Sequence, residues 1–343
     1  AGPVNGAVYN WTNNNTNTGL GASGSATIPA VVGTNGTNSP ISSTLTITPS
    51  FTNNAVTCTG SNSTYTFTVN PIPSVSSLPN QQVCSGNTVT LNFSSPNNIA
   101  GTVYNWTNSN TTIGLGASGT GNISFPSTNT TNGPISANIV VTPAFSNGGV
   151  ACPGIPNTVL ITVLPTPVAN ALTPQILCAG NNSTAINFGA NQVGTTFTWT
   201  NTNSNIGLGV SGNGNIPPFA ATNSGTAPIS GTISATPSLT TNGQACAGAA
   251  VSTQITVNPN PVMNAPASAS FCHGSTAAFN FSSNIANGVT YAWTNTNPSI
   301  GLGASGNGNI SFPAQNTTAA PISGTINVTP TYTANGVACS GAP

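Results

Sequence analysis

Four copies of one glycine pattern constrain this chain more than any other feature. GLGASG at Gly19–Gly24 returns at Gly114–Gly119 and Gly301–Gly306, and as GLGVSG at Gly207–Gly212, with starts 95, 93 and 94 residues apart. The six residues fit G-x-G-x-x-G, the spacing that brings a backbone up to a dinucleotide pyrophosphate. A dinucleotide fold uses that fingerprint once, between a strand and a helix, with an acidic residue about 20 positions on. Here three copies run into asparagine-rich turns (TGNISF, NGNIPP, NGNISF), and the chain has no Asp or Glu. The motif is a repeated turn, no cofactor is expected, and the repeat itself is the finding.

The unit is about 94 residues long. Trp11, Trp106, Trp199 and Trp293 fall at equivalent places, as do Pro40, Pro134, Pro228 and Pro321, and proline-rich seams separate the units at 69–75, 163–169 and 257–263. This predicts a partial repeat over 1–70, complete repeats over 71–164 and 165–258, and a partial repeat over 259–343. The first lacks its opening strands and the last its closing strand, so the chain reads as a segment of a longer repetitive protein.

Within a unit the signals are strands and turns. NTVTLNFS (87–94), TVYNWTN (102–108), NISF (122–125), ISANIVVTP (135–143) and NTVLITVLP (157–165) alternate or run apolar, with Gly, Pro and Asn clusters between them. No window carries a helical period. Some seven short strands per unit, a Trp on the third and a disulfide candidate predict an all-β chain of tandem immunoglobulin-like β-sandwiches, with the four Trp residues in the cores. At about 3.3 Å rise per residue, each unit spans roughly 35–40 Å, and a rod of them about 130–150 Å.

Charge limits function as sharply as the repeat limits fold. The 343 residues include no Lys, Arg, Asp or Glu, and one His, where an ordinary domain is about 25% charged. Nucleic-acid binding has no cation for phosphates, carboxylate metal sites have no ligands, and acid–base catalysis by carboxylate or Lys is unavailable. A basic membrane-binding face is excluded too, and no run approaches a membrane span. No enzyme and no metal are expected. At 37% hydrophobic the chain has enough apolar residues for a core, with Asn, Thr, Ser and Gly supplying solubility. Such a surface is indifferent to salt and lacks repulsion between copies, which makes self-association easier.

Seven cysteines fall into two classes. Cys84, Cys178 and Cys272 open units, and Cys58, Cys152, Cys246 and Cys339 come near unit ends. Pairing within units gives 84–152, 178–246 and 272–339, leaving Cys58 for a partner upstream. Pairing across seams gives 58–84, 152–178 and 246–272, leaving Cys339. The within-unit scheme is favoured, since it closes a loop of about 68 residues and staples each sandwich. Either scheme implies an oxidising, extracellular setting. His273 beside Cys272 is read as a surface histidine, because strand neighbours face opposite ways and Ser85 and Ala179 hold the equivalent positions. The N-x-S/T triplets at Asn10, Asn62, Asn105 and Asn309 are read as chance matches, and Tyr9, Tyr104 and Tyr291 as core residues.

Taken together, VCSG (83–86), YNWTN (104–108), IGLGASGTGNISF (113–125), PISANIVVTP (134–143), CPG (152–154) and LITVLPTP (160–167) resemble the PKD-like repeats of Bacteroidota cell-surface proteins. The resemblance covers the chain unit after unit. It implies a segment of a giant secreted adhesin of the kind gliding bacteria move along their surface, exported by type IX secretion. The function expected is a stalk or filament segment carrying an adhesive tip away from the cell. A laterally bundled homo-oligomeric filament and a glycan-binding module are the alternatives. The expected partners are neighbouring repeats of the same chain and identical chains.

Overall fold

The computed structural model describes residues 4–264 and 266–343. The chain is all β, a series of immunoglobulin-like sandwiches, and it divides into two compact units, Ala1–Pro165 and Thr166–Pro343.

The second repeat shows how the sequence builds the sandwich. Alternation in Asn157–Leu164 sends Val159, Ile161 and Val163 inward, each at most 1% exposed. That strand lies parallel to Gln81–Cys84 on one side and antiparallel to the long strand Ile135–Asn147 on the other. Ile135–Asn147 in turn pairs with Val103–Asn108, which pairs with Ser118–Thr120. A smaller sheet, Thr88–Leu91 with Ile123–Pro126, covers this larger one. Val89, Leu91, Ile139 and Ile161 meet between the sheets at 0–1% exposure.

The pattern ISANIVVTP predicts a strand ending at Pro143, yet the strand continues to Asn147 and turns back as Val150–Pro153. Pro143 is tolerated because its outward side needs only an acceptor: the Gly154 amide donates to its carbonyl at 2.8 Å. The same bond joins Gly60 to Pro49, Gly248 to Pro237 and Gly341 to Pro330, each at 2.9 Å. Every repeat thus carries a hairpin arm prolonging its central strand, which strand counting does not anticipate.

The third repeat has the same large sheet, ordered Gln175–Cys178, Val251–Asn258, Ile229–Thr241, Thr196–Asn201, Ser211–Asn213, with the arm Gln244–Ala247. Its smaller sheet shrinks to isolated bridges at Asn182–Ala220 and Ile186–Ile216. Pro217 and Pro218 stand where the second repeat has Ser124 and Phe125, and they remove ladder donors. In the first repeat Val8–Asn13, Ile41–Asn53, Val56–Thr59 and Ser63–Val69 form one sheet over a small cluster of Trp11, Leu20 and Leu45. The fourth keeps Thr276–Phe279 with Ile310–Pro313, and a sheet of Ser305–Asn307, Val289–Asn295, Ile326–Ala334 and Val337–Ser340.

Candidate functional site: the seam between repeats

In the glycine motif the first glycine, the leucine and the last glycine each have a structural task. Asn110 caps a 3-10 turn over Thr111–Ile113, accepting from the Thr112 amide, and Gly114 ends the turn at φ 98°. Equivalent turns end at Gly19, Gly207 and Gly301 with φ of 94–96°, a region that only glycine enters without strain. The next residue, Leu20, Leu115, Leu208 or Leu302, is buried in its core. The last glycine lies opposite the tryptophan in register: Gly24 to Trp11, Gly119 to Trp106, Gly212 to Trp199, Gly306 to Trp293. A Cβ at any of these four would collide with the indole ring.

Two positions after each tryptophan, a buried asparagine ties the loop down. Asn108 Nδ2 donates to Leu115 O at 2.8 Å, and its Oδ1 accepts from the Asn110 amide at 3.0 Å. Asn13, Asn201 and Asn295 repeat both bonds at 2.8–3.1 Å. Trp11, Trp199 and Trp293 are 5–9% exposed, and Trp106 packs half-buried against its core. No hydrogen-bond partner is found for any of the four indole Nε1 atoms. Tyr104 also packs on the core, and burial raises its pKa, opposed by a hydrogen bond with Ser95.

The chemistry of the cysteines is at the seams. Cys178 and Cys339 are disulfide-bonded with Cα atoms 5.4 Å apart, joining the opening of the third repeat to the arm of the fourth. Cys84 and Cys246 are also disulfide-bonded, whereas Cys58, Cys152 and Cys272 are free thiols. The expected within-unit pairs 84–152, 178–246 and 272–339 are therefore overturned, as is the cross-seam set 58–84, 152–178 and 246–272. The sheet register gives the reason. Cys84 sits level with Leu164, beside the Ile135 end of the long strand, while Cys152 is opposite Phe145. Ten strand residues, about 33 Å, separate the two levels, and a disulfide needs Cα atoms within about 7 Å. Cys178 and Cys246 are kept apart in the same way by the register of Ile229 and Leu239. Opening and closing cysteines stand at opposite ends of these two sandwiches, and the Cys178–Cys339 bond reaches from the third repeat into the fourth.

Further contacts lie at the seams. Asn258 Nδ2 donates to Ala334 O at 2.8 Å, and Asn335 Nδ2 returns a bond to Asn258 Oδ1 at 3.1 Å. In the other unit Asn70, at the matching seam position, donates to Asn147 O at 3.2 Å and accepts from Asn147 Nδ2 at 2.9 Å. Asn260 Nδ2 also donates to Ala179 O at 2.9 Å. Each seam proline then docks on the glycine two residues past the arm cysteine: Pro73 on Gly154, Pro167 on Gly248, Pro261 on Gly341. A Cβ at any of these glycines would overlap the proline carbonyl.

His273 is exposed, and its Nδ1 accepts from the Asn316 amide at 3.1 Å; in the second repeat Ser85 Oγ accepts from the Asn129 amide at 2.9 Å. The histidine therefore substitutes for a serine in a loop contact. Among the described residues no group of three or more His, Cys, Asp or Glu side chains could hold a metal ion, and no helix is long and apolar enough to cross a membrane.

No protein-family model matches the chain, and no curated protein matches it. Among solved structures, immunoglobulin domains 1–5 of Sidekick-1 align over 98% of this chain and 71% of that one, at 11% identity and TM-score 0.28. Protocadherin Gamma B2 cadherin domains 3–6 align over 98% and 91%, at 12% identity and TM-score 0.31. The insect immune protein hemolin aligns over 99% and 91%, at 12% identity and TM-score 0.26. The immunoglobulin-like fold rests on the strand order itself.

Proposed function

We propose that this chain is a structural segment of a secreted, repetitive cell-surface stalk or filament, of the kind built from PKD-like repeats. Its repeats would be 1–70, 71–164, 165–258 and 259–343, and its work would be to carry tension from one sandwich to the next. The Cys178–Cys339 bond carries the reading, because it joins two repeats rather than closing a loop inside one. An amide clasp beside it spans the same junction, and a second clasp spans that of the first and second repeats. Disulfides in this number belong to an oxidising, extracellular compartment.

A tension-carrying segment is favoured over lateral bundling by how the outward hydroxyls are used. Ser136 bonds Thr162 at 3.0 Å, Ser230 bonds Thr256 at 2.9 Å, and Ser42 bonds Thr68 at 2.8 Å, each across strands of one sheet. These pairs spend outward hydroxyls on bonds within one sheet rather than on a second chain.

Pulling single molecules from their two ends tests the proposal. With the bond intact, the chain between Cys178 and Cys339, a separation of 161 residues, is shielded from extension. Reduction should then release several hundred ångström of contour, at roughly 3.4 Å per residue. Equal contour lengths before and after reduction would remove the bond from the load path and the reading with it.

A further inference from the structure

We propose that the third repeat is a yielding element held in reserve by the Cys178–Cys339 bond: it opens more readily than the second repeat, and it lengthens the chain only once that bond is reduced. The order of opening is independent of the stalk reading, whereas the gate rests on it.

The two repeats share a large sheet and differ in what covers it. In the second, Thr88–Leu91 pairs with Ile123–Pro126 at four successive positions. In the third, the same sheet is reduced to the bridges Asn182–Ala220 and Ile186–Ile216, with Pro217 and Pro218 between the bridged residues of one side. Two prolines bring no amide to a ladder. Five residues after the opening cysteine the second repeat buries Val89, and the third buries Ser183, whose Oγ accepts from the Phe219 amide at 3.0 Å.

Two further exchanges leave polar atoms without partners. Thr102 Oγ1 donates to Ile99 O and Thr195 Oγ1 to Gln192 O, both at 2.8 Å, so one hydroxyl bond marks Ile99 and Gln192 as equivalent. Both side chains are buried, yet Gln192 Oε1 has no hydrogen-bond partner among the described residues. On the closing strands Val159 stands opposite Ile139, and Thr253 opposite Ile233. Thr253 is buried as well, and its Oγ1 is also unpartnered. A buried polar atom without its bond costs the full desolvation of that atom, which an aliphatic side chain does not. Apolar bulk is lost too. Ala235 lies opposite Trp199 where Val141 lies opposite Trp106, and Gly231 opposite Ile255 where Ala137 lies opposite Ile161. Every one of these exchanges weakens the third repeat relative to the second.

The disulfide decides when that weakness is felt. Cys178 ends the first strand of the third repeat, and Cys339 lies in the arm of the fourth, 161 residues on. Thr196–Asn201, Ile229–Thr241 and Val251–Asn258 all fall inside the loop so closed. A pull on the chain passes from Cys178 to Cys339 and bypasses them. An external dithiol opens the gate: the S–S bond takes up two electrons and two protons to give two thiols, and the dithiol leaves as a disulfide. The third repeat then comes under tension.

Amide hydrogen exchange on the full chain, with its disulfides intact, tests the order of opening. Ile229–Thr241 should exchange roughly tenfold or more faster than Ile135–Asn147. Gln192→Ile with Thr253→Val removes both unpartnered atoms, and should slow the third-repeat strand about tenfold while leaving the second unchanged. Equal rates in the two strands, or a third-repeat rate that this double variant does not slow, would overturn the inference. Single-molecule pulling of Cys178→Ser with Cys339→Ser, which lacks the gate, tests the rest. A low-force extension step should appear that is missing with the bond intact, and Gln192→Ile with Thr253→Val should move it to higher force. A step whose force does not respond sinks the yielding repeat alone, and no new step at all sinks the gate together with the load path.

Discussion

At the scale of single residues, the repeat is preserved by what each position excludes. Gly212 faces Trp199 across a two-strand ladder with no room for a methyl group. Gly212→Ala should cost about 1–3 kcal/mol as overpacking, seen as a lower urea midpoint by tryptophan fluorescence. Asn201 satisfies one buried carbonyl and one amide at once. Asn201→Leu strands both groups and should cost about 2–4 kcal/mol, read in the same experiment. An unchanged midpoint in either variant would show the loop to be held by something other than these contacts. These positions were legible as a motif in sequence, but their tasks were not: GLGASG and WTN stand apart in the chain and meet only when the strands pair.

At the scale of elements, the hairpin arm governs what the chain can do. It lifts the arm cysteine clear of its own sandwich, and the seam proline then locks against the glycine two residues on. Gly248→Ala should therefore displace Pro167, and the change would be visible as faster amide exchange through Gln244–Ala247. Protection as strong as in the native chain would count against the docking. The sequence signalled the arm only weakly, since Pro143 and its equivalents read as strand ends. The disulfide expectation failed for the same reason. Spacing along the chain put Cys84 and Cys152 in one unit, whereas the register of Ile135–Asn147 keeps them about 33 Å apart.

At the scale of the whole molecule, the absence of charge sets the response to solution conditions. With no Lys, Arg, Asp or Glu, the unfolding midpoint should barely move between low and high sodium chloride, since there are few charges to screen. Alkali is different. Burial raises the Tyr104 pKa in the folded state. Its contribution is full below the ordinary tyrosine range, near pH 10, and is lost as pH rises through the higher folded value. A urea midpoint that falls above about pH 10, and falls less in Tyr104→Phe, is the expected result. A native and a Tyr104→Phe curve that decline together would assign the loss elsewhere.

The sequence by itself determined the repeat, the all-β sandwich, the tryptophan and proline landmarks and the exclusion of charge-based chemistry. Each follows from local periodicity or from composition, which need no knowledge of what lies beside what. Only the tertiary structure decided which cysteines meet and why Gly154, Gly248 and Gly341 must be glycine. Those depend on strand register and on one repeat's reach toward the next. Separation along a chain does not report distance once a thirteen-residue strand has laid its two ends far apart.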